Sequence, residues 1–300
     1  MPVNDLIRVP DYNSIRTTIS NVMGTGSANL GYGQNLQSNS VAVGDYVTKP
    51  QWDNLRYDIV NALVHQTGSV PTIYEPAVGE LLKYSSNLPN FQYNTLANQA
   101  NTNRFDIGAG QYAVEPKGTR TQSVSFSSNM NATITVTFST ADQARFFFNS
   151  GGKIRFSSSF VDSLGTSQSS SWATILANLG TISFGGNTPA VNFYTLTNSP
   201  QTFYEQGVSG SYSMNTWRLQ AFSNVANNSL GTATTLTFYS YWVDSYTDPG
   251  LPPPGDLVQG SLTLNVSQLR ATGALYPSLV ANSFNIAGPS SYTITPFLGT

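Results

Sequence analysis

Residues 132–138 read Ala-Thr-Ile-Thr-Val-Thr-Phe, and their strict alternation decides the fold class. Ala132, Ile134, Val136 and Phe138 fall on one side of an extended chain and three threonines on the other, as in a strand with one buried face. Working outward, KIRFSSSF (Lys153–Phe160), TWRLQAFSNV (Thr216–Val225), TLTFYSYWV (Thr235–Val243) and GSLTLNV (Gly260–Val266) repeat the pattern. Two helical stretches interrupt them. TADQARFFFNSGG opens on a capping box, Thr140 with Gln143, and closes on Gly151–Gly152; SSSWATILANLG opens on serines and closes on Gly180. The expected fold is mainly β: an antiparallel β-sandwich over 118–270 with two short inserted helices. The proline run TDPGLPPPGD (Thr247–Asp256) is a polyproline spacer into the last strand, and 271–300 reads as an extended C-terminal tail.

The N-terminal region, 1–68, holds a repeat. PDYNSIRTTISNVM (Pro10–Met23) aligns with PQWDNLRYDIVNAL (Pro50–Leu63) at an offset of 40, matching Tyr12 to Trp52 and Arg16 to Arg56. Apolar residues at Ile15, Ile19, Val22 and Met23, and at Leu55, Ile59, Ala62 and Leu63, keep helical spacing. Proline suits a first helical turn, and Thr48 with Gln51 fits a capping box. An aromatic ring four residues before an arginine in each helix predicts ring–guanidinium stacking, Tyr12 on Arg16 and Trp52 on Arg56. The plainer reading is two short amphipathic helices packed on each other; because two such helices bury little alone, the sharper one is a docking hairpin whose apolar stripes meet a neighbouring subunit. Residues 69–117, rich in asparagine and broken by proline and glycine, read as an extended connector.

Charge is scarce: 9% Asp, Glu, Lys and Arg, against about 25% in typical soluble domains, while 39% hydrophobic residues suffice for a core. Ser, Thr, Asn and Gln supply the missing polarity. Such a surface can be buried against a partner without desolvating ions. From Phe156 to the end the only cations are Arg218 and Arg270, so no row of phosphates can be neutralised there and nucleic acid is not the expected partner. No segment reaches the roughly 18 apolar residues of a membrane span. The opening residues MPVNDLIRVPDY lack the form of a signal peptide, so the expectation is a soluble product of a cytoplasm.

Chemistry is hard to find. Without cysteine there are no disulfides and no thiolate sites. The single histidine, His65, sits near a helix end, where a cation would meet the carbonyl end of the dipole. GVSGS (Gly207–Ser211) does not match a nucleophile elbow, and GAGQYA (Gly108–Ala113) matches a dinucleotide fingerprint only on paper, because Pro116 and Gly118 forbid the helix it needs. GTGSAN (Gly24–Asn29) lacks the third glycine. Asp162 and Glu205 lack an obvious structural role and are the weak candidates for a glycosidase pair, which needs carboxylates roughly 5–10 Å apart. Asp244, Asp248 and Asp256 are the weak candidates for a calcium site. Trp217, Tyr239, Tyr241 and Trp242 lie on strands; Tyr241 and Trp242, being adjacent, point to opposite faces, so core packing is favoured over a sugar platform. No cofactor, metal or catalytic residue is expected. The Phe146–Phe148 run lies on a helix, where at most two rings face one core and the third meets a second layer or a partner. Tyr12, Arg16, Trp52, Arg56, Phe146, Phe147 and Phe148 are therefore the interface candidates.

The segments YGQNLQSNSVAVGDYVTKPQWDNLRYDIVNALVHQTGSVP, FFNSGGKIRFSSSF, SSSWATILANLGTISFGGNTP and YWVDSYTDPGLPPPGDLVQGSLTLNV resemble virion structural proteins of tailed bacteriophages, cyanophages and marine relatives above all. FFFNSGG and DPGLPPPGD carry most of the resemblance. The family is known as structural or fibre-like, and no catalytic residue carries over from it. It implies a non-enzymatic, multi-copy subunit of the tail, baseplate or neck, docked through its N-terminal region, with other copies and other virion proteins as partners. The alternatives are a capsid decoration protein and a module binding host-surface glycan. The expected location is the virion, after synthesis in the host cytoplasm.

Overall fold

A computed structural model of the chain describes residues 8–79, 92–187, 190–207, 212–246, 257–273 and 284–299. The proline spacer Thr247–Asp256 and the end of the GVSGS run lie outside them. The chain forms two compact units: one of residues 1–113, 145–152 and 270–287, the other of 114–144, 153–269 and 288–300. Neither is a single run of sequence, whereas the sequence suggests four consecutive regions.

In the first unit, α1 (Val9–Met23), α2 (Lys49–Thr67) and α3 (Gln92–Thr102) pack together. The repeat forms the first two helices. Pro10 and Pro50 stand in their first turns. At the start of α2 the Gln51 Oε1 accepts from the Thr48 amide (2.7 Å) and hydroxyl (3.0 Å). Gly68 closes α2 in the left-handed region, φ 75°, its amide on the Val64 carbonyl. Three rings tie the helices together. Tyr12 meets Trp52 edge to face at 5.1 Å, and Trp52 meets Tyr93 of α3 at 5.2 Å. Helix α3 falls within the expected connector. Its buried residues Tyr93, Ala97 and Ala100 keep a helical stripe despite the poor helix propensity of its asparagines.

The second unit contains two antiparallel sheets packed against each other. In chain order its elements are β1 (Tyr112–Phe126), β2 (Met130–Thr137), α4 (Ala141–Asn149), β3 (Lys153–Asp162), α5 (Ser167–Leu179), β4 (Ile182–Phe184), β5 (Gln201–Gly207), β6 (Thr216–Ser223), β7 (Thr235–Val243), β8 (Val258–Ala271), β9 (Ser291–Ile294) and β10 (Leu298–Gly299). The ends of β1, α4 and β8 run on into the first unit. The four-stranded sheet has the order β1-β8-β3-β4; the other runs β10-β2-β7-β6-β5, with β9 also on β2. The tail expected after 271 therefore contains two strands. Ser291–Ile294 lies against residues 134–137, and Leu298–Gly299 against 130–131.

The alternation that predicts β2 is the alternation that buries it: Ala132, Ile134 and Val136 are fully buried. Between the sheets, Phe156 and Phe184 meet Phe238 at 4.9 and 5.2 Å, and Phe203 meets Phe184 at 5.2 Å. The buried Trp242 Nε1–H donates to Ser158 Oγ of the facing sheet at 3.2 Å. The capping box of α4 is present in altered form. The Gln143 amide donates to Thr140 Oγ1, while Gln143 Oε1 accepts from the Ser139 amide rather than from that of Thr140.

Candidate interaction surface

The interface candidates of the helical unit are taken up by intrachain packing. Tyr12 and Trp52 are buried against each other, and the Tyr12 hydroxyl donates to the carbonyls of Asn39 and Gln51. Neither expected ring–arginine pair forms. Arg16 Nε donates to the Ser38 carbonyl at 3.1 Å; Arg56 lies over the Tyr57 ring and pairs with Glu75 at 3.1 Å. Phe147 and Phe148 are buried, 5.0 Å apart, and Phe146 is half-buried over Gly33. Gly33 has φ 72°, and a Cβ there would fall 2.4 Å from the Phe146 ring. The third ring thus rests on a glycine of the same unit.

The two glycine-rich motifs are taken up by packing. Gly108 lies so close to α2 that a Cβ would meet the Gly68 nitrogen at 2.0 Å, and its amide donates to the His65 carbonyl. The GTGSAN loop is gripped by Arg145, whose guanidinium donates to the carbonyls of Thr25, Ala28 and Leu30. His65 is not a cation at a helix end. It is 1% exposed, its Nε2–H donates to the Ser150 carbonyl (2.9 Å), and it stacks on Phe284 at 4.2 Å. Burial pushes its pKa down to about 4, so the ring is neutral at pH 7.

Asp162 and Glu205 both have structural work, contrary to the sequence reading. Asp162 accepts from the amides of Leu164 and Gly165 and from the Ser170 hydroxyl. Glu205 pairs with Arg218 at 2.8 Å and accepts from Thr216. The Gly165 amide bond and the Arg218 bond respectively hold each carboxyl below its ordinary range, the opposite of what a general acid requires. Asp248 and Asp256 lie outside the described residues; among the described residues no three His, Asp or Glu converge as a metal site. No described helix is long and apolar enough to cross a membrane.

What the second unit does present is two polar sheet faces. On the four-stranded sheet, side chains directed away from the other sheet form rows of hydroxyls and amides, with Lys153 and Arg155 at the start of the β3 row. Thr119 Oγ1 donates to Asn265 Oδ1 (2.9 Å), and Asn265 stands opposite Ser157. Thr121 meets Thr263 (3.0 Å), which stands opposite Ser159. On the six-stranded sheet, Thr135 pairs with Thr237, Thr133 with Tyr239 and Gln220 with Tyr239. Here Phe222, Tyr239 and Tyr241 form a half-buried aromatic run, with centroids 5.2 and 5.7 Å apart, flanked by the Arg218–Glu205 pair and by Gln220 bonded to Thr202. Trp217 and Trp242 point the other way and are buried, so of the four aromatic candidates only the tyrosines remain on the surface. Phe222 was missed in the sequence, although it shares the parity of Arg218 and Gln220 in TWRLQAFS, whose alternate residues Trp217, Leu219 and Ala221 are buried.

No family model, curated protein or solved structure matches this chain.

Proposed function

We propose that the protein is a non-enzymatic, multi-copy structural subunit of a tailed-phage virion, part of the tail, baseplate or neck and assembled in the host cytoplasm. In this reading its body is an antiparallel β-sandwich with two inserted helices, and the N-terminal helices are the docking end. The supporting observation is the polarity of both sheet faces, mostly hydroxyls and carboxamides, with Lys153 and Arg155 on one and the Arg218–Glu205 pair on the other, so that further copies can cover them while stripping water from few charges. The sequence resemblance points to the same class. Symmetric assembly is the default for such subunits, with contacts above roughly 1,000 Å² and few salt bridges. Capsid decoration is the same chemistry at another place on the particle. Quantitative mass spectrometry of gradient-purified particles tests the proposal. Multiple copies per particle support it, and absence from infectious particles overturns it.

One observation favours a second reading, recognition of host glycan: the Phe222–Tyr239–Tyr241 run flanked by hydrogen-bonding side chains. Binding to a glycan array that is lost in Tyr241→Ala supports that reading. Binding that persists in the variant removes this face from consideration.

A further inference from the structure

We propose that residues 121–127, the end of β1 and the residue after it, pair antiparallel with the same segment of a second copy, joining two four-stranded sheets across a two-fold axis; this rests on the reading of the chain as a self-assembling subunit. Strand β1 is the outermost strand of its sheet, hydrogen-bonded on one side to β8. Its two halves treat the other side differently. The first half carries the devices that keep sheet edges single. Pro116 has no amide to offer, Glu115 and Lys117 form a 2.9 Å ion pair, and Arg120 follows. From Thr121 to Asn129 the sequence is TQSVSFSSN, with no charge, no proline and no glycine. A long uncharged edge is a template for another strand.

The space beside it is open. A groove of about 490 Å³ runs along residues 122–128, completed by Met130, Leu257 and Gly299. On this flank the six-stranded sheet contributes Met130 of β2 and Gly299 of the two-residue β10. At the head of the groove the Gln122 carboxamide donates to the Phe297 carbonyl (3.3 Å) and accepts from its amide (3.1 Å), tying β1 to the stretch that leads into β10 through a side chain and leaving the backbone edge of β1 to another strand.

An incoming strand must be neutral, must alternate small polar with apolar residues, and must not carry its own guard. The same half of β1 meets every condition. Ser123 and Ser125 are exposed while Val124 and Phe126 are buried. Neutral meets neutral, so no ion loses its water. A two-fold axis also satisfies both free edges in one contact, as an isologous interface does.

The test is sedimentation velocity of the full chain across a wide concentration range, together with hydrogen exchange of peptides covering 119–128. Two variants accompany it: S123K/S125K on the edge, and Leu230→Lys, which is 66% exposed in the loop between β6 and β7, as a control. Expected is self-association of the wild type, concentration-dependent protection of 121–127, about tenfold or greater weakening in S123K/S125K, and no change in Leu230→Lys. If the lysine pair disturbs folding, as circular dichroism would reveal, the wild-type exchange data decide alone. Association with unchanged exchange at 121–127 overturns the strand pairing and leaves the assembly reading intact. Protection that depends on another particle protein, not on this chain's own concentration, overturns it in favour of a foreign strand. A wild type that stays monomeric throughout removes both.

Discussion

Acidification from pH 7 to pH 4 should cost the helical unit about 3 kcal/mol through one side chain, His65. The ring is buried with its Nε2–H on the Ser150 carbonyl, and among the described residues Nδ1 has no hydrogen-bond partner. A second proton would therefore bring a charge and an unsatisfied donor into the interior. Burial lowers the pKa from 6.5 to about 4 in the folded chain. The unfolded chain binds the proton first, so His65 contributes its full stability above pH 6.5 and loses it as pH falls. Each pH unit between the two values costs about 1.4 kcal/mol, which gives about 3 kcal/mol by pH 4. Asp58 acts in the opposite direction: burial raises its pKa, so its contribution is present at low pH and lost as pH rises. Comparison with His65→Phe, which keeps a ring against Phe284, cancels Asp58 and isolates the histidine. Urea denaturation of both proteins from pH 7 to pH 4 should show the wild type losing about 3 kcal/mol relative to the variant. Because the chain has one histidine, its ring resonances in NMR report the titration directly. Parallel stability curves, or a ring titrating near 6.5, would refute the reasoning.

Other perturbations have equally definite outcomes. Phe238→Ala removes the fully buried ring that joins the two sheets and should cost about 3–5 kcal/mol in denaturant unfolding. Ser240→Ala leaves the buried Trp217 Nε1–H, now 2.8 Å from the Ser240 hydroxyl, without that acceptor, for a loss of about 1–3 kcal/mol. Gly33→Ala sets a methyl group against the Phe146 ring at a positive φ, and should destabilise by about 1–3 kcal/mol; no loss would mean that the ring moves freely aside.

Local pattern carried some of this architecture and not the rest. The parity of Ala132–Phe138 foretold both the strand and its buried side, and helical spacing plus Gly68 foretold α2 to within a few residues. Helix α3 was missed because asparagine and threonine make a poor helix in isolation, and packing against α1 and α2 overrides that preference. The start of β1 was missed because Pro116 and Gly118 read as breakers, yet an edge strand tolerates both. The stacking expected of Arg16 and Arg56 failed for another reason. Helical spacing places ring and guanidinium side by side, but the Ser38 carbonyl and Glu75, remote in sequence, offer hydrogen bonds that stacking cannot match. On the surface, the parity of Tyr239 and Phe222 was legible, whereas the register that sets them side by side exists only once β6 and β7 are paired.

The most direct measurement is a cryo-electron microscopy map of the assembled particle, fine enough to trace this chain. Multiple copies should appear, their hydroxyl-lined sheets and the 121–127 edges covered by neighbouring subunits across contacts above roughly 1,000 Å² with few ion pairs. Copies bathed in solvent on both sheets, or no copies at all, would contradict it.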